Sequence, residues 1–129
     1  MSKLIVAVIG GGAAGFFGAI QVAENEPDAE VMILEASQNL LSKVKVSGGG
    51  RCNVTHSCFE DEELIGFYPR GSKELRQVFS RFSVQDMVKW LEGKGIRLKT
   101  ESDGRMFPST NDSQTIVNLL SACSHSGLI

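Results

Sequence analysis

A glycine-rich turn near the start of the chain, Gly10–Gly15, separates two apolar stretches and restricts the folds open to this sequence. The run before it, Leu4–Ile9, consists of strand-forming residues, which predicts a strand buried on both faces of a parallel sheet. After the turn, apolar residues recur at the spacing of one helix face, at Phe16, Ala19, Ile20 and Ala23. A second apolar run, Val31–Leu34, is followed by Glu35. The order strand, glycine turn, helix, strand and acid predicts a Rossmann-like βαβ unit.

The spacing G-x-G-x-x-G gives each of three glycines a role in binding a dinucleotide. Gly10 would let the chain turn sharply, Gly12 would let a pyrophosphate approach the backbone, and Gly15 would let the helix lie close to the sheet. The N–H groups at the start of the helix, near Ala13, would face the phosphates. Glu35 would accept hydrogen bonds from the ribose hydroxyls and would repel a 2′-phosphate. The alternative is a glycine turn that serves only tight βαβ packing.

A second glycine-rich stretch, Ser47–Thr55, contains three consecutive glycines followed by Arg51. Backbone N–H groups that no side chain covers, together with a guanidinium, can bind anionic or carbonyl oxygens. Lys43 and Lys45 lie just before this stretch, so the basic cluster suits a phosphate-sized ligand better than a nucleic acid duplex. The alternative is that the stretch is only a flexible connector.

Several parts of the sequence resemble one bacterial family of FAD-dependent oxidoreductases, namely Val8–Gly15, Glu35, Lys43, Ser47–Thr55 and Gly104–Pro108. Members of that family are described as NAD(FAD)-utilizing dehydrogenases, or as aminoacetone-oxidase-like and bile-acid-reductase-like flavoproteins. The stretch Ser47–Thr55 is the most specific part of the resemblance, which extends over nearly the whole chain.

The resemblance implies an α/β, Rossmann-like FAD/NAD(P)-binding domain with a parallel sheet, helices on both faces and a small helical and hairpin insertion. It implies that FAD is bound by Gly10, Gly12, Ala13, Ala14, Gly15, Glu35, Lys43, Gly49, Gly50, Arg51, Cys52 and Asn53. Within this set, the first glycine turn would hold the pyrophosphate, Glu35 the adenosine ribose, and the second stretch would lie along the cofactor towards the flavin. The sequence departs from the family at Leu41 and Ser42, where many relatives carry Gly-Arg, so a contact of that arginine is not expected.

Composition limits the classes of partner. The chain has 129 residues, the size of one domain, and a formal net charge of −2, which gives no electrostatic reason to expect a nucleic acid partner. No apolar run approaches the roughly 20 residues that cross a bilayer, and no signal peptide is visible, so no membrane partner is expected. The three cysteines form no CxxC pair and no metal spacing with a histidine, which favours reduced thiols in a cytoplasmic protein without a metal.

We expect one domain over residues 1–129 in two parts, with the dinucleotide-binding unit and second glycine stretch in about 1–57 and helices and a hairpin in about 58–129. Ser72 is predicted to cap a helix, and Ser83 to cap the next with Asp86 as a near capping box. The first of these helices would present a core stripe of Leu75, Val78, Phe79 and Phe82.

The remaining segments predict a hairpin and one more helix. Ile96–Thr100 followed by the turn signal Ser102–Gly104 predicts the hairpin, and the helix would begin at Asn111 or Ser113. Gly127–Ile129 resembles a turn entering another strand. Because two buried strands make a poor sheet, we expect the chain to be an N-terminal fragment of a longer protein.

These observations favour the FAD-binding portion of a flavin-dependent oxidoreductase that acts on a small molecule, with NAD(P)H as a candidate electron donor. Two alternatives stay open: an NAD-binding dehydrogenase domain without flavin, which leaves Ser47–Thr55 unexplained, and a non-catalytic dinucleotide-binding or scaffold module. The sequence identifies no catalytic acid or base and no oligomeric state. Structural roles are expected for His56 and Cys52, and Arg105 is a candidate contact for an anionic substrate or a cofactor oxygen, the alternative being an arginine at the surface of the hairpin with no such role.

Overall fold

The computed structural model describes residues 2–125 and divides the chain into two compact units. Of the described residues, the first unit contains 2–52 and 112–125, and the second contains 53–111. The division therefore differs from the one expected near residue 57, because the last helix returns to the first unit. The strand expected at Gly127–Ile129 lies outside the described residues.

Eleven helices and strands follow one another along residues 2–125. In chain order they are β1 (Ile5–Ile9), α1 (Ala13–Asn25), β2 (Glu30–Leu34), α2 (Ser42–Gly50), β3 (Thr55–His56), α3 (Asp61–Gly66), α4 (Ser72–Phe79), α5 (Val84–Gly93), β4 (Leu98–Thr100), β5 (Arg105–Pro108) and α6 (Gln114–His125). The first two strands, the first two helices and α6 belong to the first unit. In this part of the chain no helix is both long and apolar enough to cross a membrane.

In the first unit, β1 and β2 pair in parallel, as the βαβ pattern predicts. The register runs from Ile5 opposite Glu30 to Ile9 opposite Leu34. α1 connects the two strands and packs against them, with Val31 of β2 fully buried. The strand, glycine turn, helix and strand are therefore confirmed in their predicted order.

The expectation that β1 is buried on both faces is wrong for the described residues. Ile5 and Ile9 are 61% and 78% exposed, whereas Val6 and Val8, which point to the other face, are half-buried. α1 packs against both strands, and a Cβ added at Gly15 of this helix would lie 3.5 Å from Val8 Cγ1. An apolar strand sequence predicts burial, but only the neighbouring elements decide which faces are covered.

Helices α1 and α6 of the first unit each bury apolar residues on one face. In α1 the buried residues are Phe16, Ala19 and Ile20, which is the face predicted from their spacing. α6 lies against α1 and adds Ile116 and Leu120 to the buried set. The core of this unit is thus built between two helices that are about 90 residues apart in sequence.

The second unit contains a three-stranded antiparallel sheet with the strand order β3, β5, β4. β4 and β5 form the predicted hairpin, in which Leu98 lies opposite Pro108 and Thr100 opposite Met106. Gly104 has a φ of +88° in the hairpin turn, a conformation that favours glycine. Met106, Phe107 and Pro108 are all buried, so β5 is covered on both of its faces.

Helices α3, α4 and α5 complete the second unit around a small cluster of Cys58, Leu64 and Val84, against which Phe79 and Val88 pack. The predicted capping box at the start of α5 is confirmed, since the Ser83 N–H donates to Asp86 Oδ2 at 2.8 Å. This bond and the Ser83 hydroxyl lower the pKa of Asp86.

Two expectations for α4 are wrong. Its N-cap is Gly71 in a left-handed conformation with a φ of +84°, and Ser72 is the first helical residue. Val78, expected in the core stripe, is 54% exposed, and α4 contains no buried residue. A helix of eight residues at the surface can keep an amphipathic sequence while its apolar side only borders the core.

Candidate functional site

The turn that leaves β1 is built on two glycines with different requirements. Gly10 has a φ of +104°, and its N–H donates to the Leu34 carbonyl at 2.8 Å, so the chain turns sharply while it stays joined to β2. A Cβ at Gly15 would overlap the Gly10 carbonyl oxygen and would lie 3.5 Å from Val8 Cγ1. The absence of a side chain at Gly15 therefore lets α1 lie against the end of β1.

Gly11 is a close-packed position that the motif spacing did not reveal. A Cβ there would overlap Leu40 and would lie 3.2 Å from the Glu35 Cβ. Its carbonyl accepts a hydrogen bond of 2.8 Å from the Leu41 N–H. The only sequence signal was that the unspecified position between Gly10 and Gly12 is itself a glycine, because G-x-G-x-x-G assigns no role to it.

Gly12 differs from its neighbours, since its surroundings are open. It is the N-cap residue of α1 with a φ of −94°, and nothing lies within 4 Å of the position of an added Cβ. Gly12, Ala13 and Ala14 are all exposed. The first N–H groups of a helix have no acceptor within it and lie at its positive end, so this start of α1 offers both space and donors to an anion.

Glu35 directly follows β2, and its carboxylate is bound to the glycine turn. Oε2 accepts a hydrogen bond of 2.7 Å from the Gly11 N–H, and Oε1 accepts one of 2.8 Å from the Ser37 N–H. These backbone bonds, that of Ser37 first, lower the pKa of Glu35, so the carboxylate is ionised at neutral pH. Each oxygen retains a lone pair, which leaves it able to accept a further bond from a hydroxyl.

The stability of the chain should depend on the ionisation of Glu35. Because its pKa is lower in the folded state, its contribution is present above the unfolded pKa and is lost as the pH falls through the folded one. We expect the Glu35 carboxyl carbon to titrate in ¹³C NMR with a midpoint below 4.5, the value of an unperturbed glutamate. The urea midpoint of Glu35→Gln should fall less than that of the wild type on acidification, and equal falls would contradict the assignment.

The second glycine-rich stretch forms a left-handed turn within the last four residues of α2, so the regular helix ends before Ser47. Ser47 leaves the helical region with a ψ of 151°, and Gly48, Gly49 and Gly50 have φ values of +57°, +68° and +86°. Cys52 follows with a φ of +61°, which is uncommon for a residue other than glycine. The run of glycines thus supplies a backbone conformation that other residues rarely adopt.

Ser113 holds this turn in place, and sequence reasoning assigned it only as a helix start. It is 3% exposed, its hydroxyl donates to the Lys45 carbonyl at 2.6 Å, and its N–H donates to the Gly50 carbonyl at 2.8 Å. α6 begins at the next residue, Gln114, so its start is joined to α2 before the turn, at Lys45, and to the last glycine of the turn, Gly50. No signal in the sequence links these positions, which are more than 60 residues apart.

The other predicted site residues lie as follows. Lys43 is exposed in α2, two residues after Leu41, whose N–H is bonded to Gly11. Arg51 is half-buried, and Cys52 is 7% exposed. Burial raises the pKa of the Cys52 thiol, which therefore stays protonated at neutral pH. Asn53 begins the second unit and is exposed.

The side chains of His56 and Arg105 both contact other residues of the second unit. The His56 ring lies against Gly104 and has its centroid 5.9 Å from that of Phe67. The Arg105 Nε is 2.7 Å from Asp103 Oδ2, and its guanidinium lies over the Phe107 ring at 5.3 Å. Within residues 2–125, no group of three His, Cys, Asp or Glu side chains is placed to hold a metal ion.

The sequence matches one family model and is similar to several curated proteins. The family model described as "HI0933-like protein Rossmann domain" matches residues 4–128. The chain is 30% identical over 115 residues to the 3-dehydro-bile acid delta(4,6)-reductase of Clostridium scindens, covering 89% of this chain and 27% of that protein. It is 25% identical over 123 residues to the ribosomal RNA dihydrouridine synthase of Escherichia coli, covering 95% of this chain and 30% of that protein.

The ribosomal RNA dihydrouridine synthase of Haemophilus influenzae is 27% identical over 120 residues, covering 93% of this chain and 29% of that protein. The chain thus spans less than a third of the length of each of these curated relatives. The matched region includes both glycine-rich stretches and Glu35.

Proposed function

The chain belongs to the HI0933-like Rossmann domain family, and we propose that within it the chain forms the FAD-binding part of a flavin-dependent oxidoreductase. The observation that carries this proposal is the exposed start of α1 at Gly12, next to a carboxylate that is bonded to the same turn. An open helix N-terminus and an ionised Glu35 match the two polar parts of an adenosine diphosphate, its pyrophosphate and its ribose diol.

The residues present fit such a cofactor. Gly12–Gly15 would hold the pyrophosphate with backbone N–H groups, and Glu35 would accept from the ribose hydroxyls. Lys43 and the turn of Gly49–Asn53 would lie along the cofactor towards its flavin, which is the proposal that the family resemblance supports. FAD, when bound, supplies a two-electron carrier between a nicotinamide donor and the substrate.

The names of the relatives support a substrate class as well. A 3-oxo steroid with double bonds at positions 4 and 6 and the uracil ring of uridine both contain a ring carbon–carbon double bond conjugated to a carbonyl. We therefore propose that the complete protein saturates such a bond, with one hydride and one proton added across it while NAD(P)H is oxidised to NAD(P)⁺. The sequence and structure of this chain do not favour one of these two substrates, the steroid or the uridine, over the other.

The first experiment is to purify the chain, incubate it with FAD and pass it through a gel-filtration column. We expect the visible bands of oxidised flavin to co-elute with the protein and to be released as free FAD on denaturation. A parallel incubation with NAD⁺ is the control for cofactor class. Binding of NAD⁺ without flavin would favour the NAD-only dehydrogenase domain, and binding of neither would favour the scaffold module and contradict the proposal.

A further inference from the structure

We propose that the second unit carries a binding pocket for a neutral ring with a conjugated carbonyl, the reacting part of the substrate. This inference deepens the proposed function and rests on it for the identity of the ring. The pocket itself is defined by the second unit alone, because all of its lining residues fall between Asn53 and Met87.

The pocket is a cavity of about 340 Å³ between the strand β3 and three helices. Val54, Thr55 and His56 line one side, and Leu64 of α3 and Val84 of α5 are among the residues on the others. Its volume falls within the range of roughly 300–1,000 Å³ that is usual for small-molecule sites. A single ring with a short substituent, or one end of a larger ligand, is therefore the size that it suits.

The lining of the pocket favours an apolar, uncharged ligand. Leu64 and Val84 are each 5% exposed and form its interior, while the rings of Tyr68 and Phe79 lie 5.8 Å apart at a tilt of 51°. None of the lining residues is an aspartate, glutamate, lysine or arginine. A charged ligand would lose its hydration here without gaining a counter-charge, whereas a neutral ring would gain contact with aromatic and aliphatic surfaces.

Several polar side chains along the lining are available to a carbonyl or an amide. The side chains of Asn53, Thr55, His56 and Tyr68 make no hydrogen bond to any other residue between 2 and 125. The Ser83 hydroxyl, by contrast, is engaged in the capping box. A pocket with an apolar interior and a few uncommitted polar groups is the usual form of a site that orients a small ligand.

Asn53 gives the pocket a direct sequence link to the proposed cofactor residues. It is the last residue of the FAD-binding set implied by the family resemblance, and it is the peptide neighbour of Cys52. The same stretch of chain thus supplies residues to the proposed cofactor site and to this pocket. The identification of the ring as part of the substrate rests on the proposed function.

The test is a titration of the ¹⁵N-labelled chain with uridine and with testosterone, which are neutral rings carrying a conjugated carbonyl, and with benzoate as an anionic ring. We expect at least one neutral ring to shift the amide signals of Val54–His56 and Tyr68 saturably, and benzoate to leave them unchanged. Which of the two binds distinguishes a nucleobase from a steroid substrate. Saturable benzoate binding at these amides, or no binding by either neutral ring, would overturn the proposal.

Two matched variants separate pocket contacts from other effects. Tyr68→Ala removes a rim side chain that is 40% exposed, and we expect it to weaken ring binding at least fivefold. Phe59→Ala removes another exposed aromatic of the same unit that does not line the pocket, and it should change binding less than twofold. Equal effects of the two variants would contradict the assignment of the pocket.

FAD titrations of the same variants distinguish this inference from the proposed function. We expect Tyr68→Ala to bind FAD as the wild type does, and a parallel loss of FAD affinity would show that the cavity serves the cofactor, which overturns the proposal. A chain that binds a neutral ring but no FAD contradicts only the proposed function. A chain that binds FAD and neither ring contradicts only the pocket.

Discussion

Replacing Gly15 with alanine is expected to destabilise the first unit by about 3 kcal/mol or more, the upper end for forcing a methyl group into a packed interior. The added Cβ would overlap the carbonyl oxygen of Gly10, which is backbone and cannot rotate away as a side chain could. Gly10 itself has a φ of +104° and a hydrogen bond to Leu34, so the turn has little freedom to shift. Either α1 moves away from β1, or the turn loses its bond to β2.

The matched control for this prediction is Gly18→Ala, one turn further along α1. Nothing lies within 4 Å of a Cβ at Gly18, and alanine is a better helix former than glycine by up to about 1 kcal/mol, so this variant should be as stable as the wild type or more so. Urea denaturation followed by far-ultraviolet circular dichroism measures both variants. Equal midpoints for Gly15→Ala and Gly18→Ala would show that the contact with Gly10 does not constrain the helix.

The parts of the fold that sequence reasoning predicted correctly are those fixed by local chemistry. The order of β1, the glycine turn, α1 and β2 follows from residue periodicity and from the special backbone freedom of glycine at Gly10. The capping box of Ser83 and Asp86 and the hairpin turn at Gly104 are equally local, since each involves residues within four positions of one another.

The features that were missed depend on contacts between distant parts of the chain. Ser113 is buried because it meets the Lys45 and Gly50 carbonyls, and no periodicity predicts that α6 returns to the turn of α2. The exposure of Ile9 is missed for the related reason that burial of an apolar strand depends on which elements cover the sheet. The bond between Glu35 and Gly11 was missed because the motif describes only what the acid does for a ligand.

Replacing Gly12 with valine is expected to lower the affinity for FAD by about a hundredfold or more, or about 2.8 kcal/mol, in a protein that still folds. A φ of −94° and a ψ of −170° at Gly12 lie in the extended region that β-branched residues adopt readily, and no atom lies within 4 Å of the added Cβ. The fold therefore accommodates valine. The branched side chain would occupy the space next to the exposed start of α1, where the pyrophosphate is proposed to lie.

The control is Gly18→Val, which places the same side chain in the same helix at a position without neighbours within 4 Å and one turn beyond the proposed phosphate site. We expect Gly12→Val and Gly18→Val to show similar urea midpoints, and only the first to lose FAD in a fluorescence titration. Because Gly15→Ala acts through the fold and Gly12→Val through the ligand, the two substitutions separate the structural from the binding role of one motif. A folded Gly12→Val protein with unchanged FAD affinity would show that the cofactor does not bind at this turn. The glycines would then serve only the close packing of the βαβ unit.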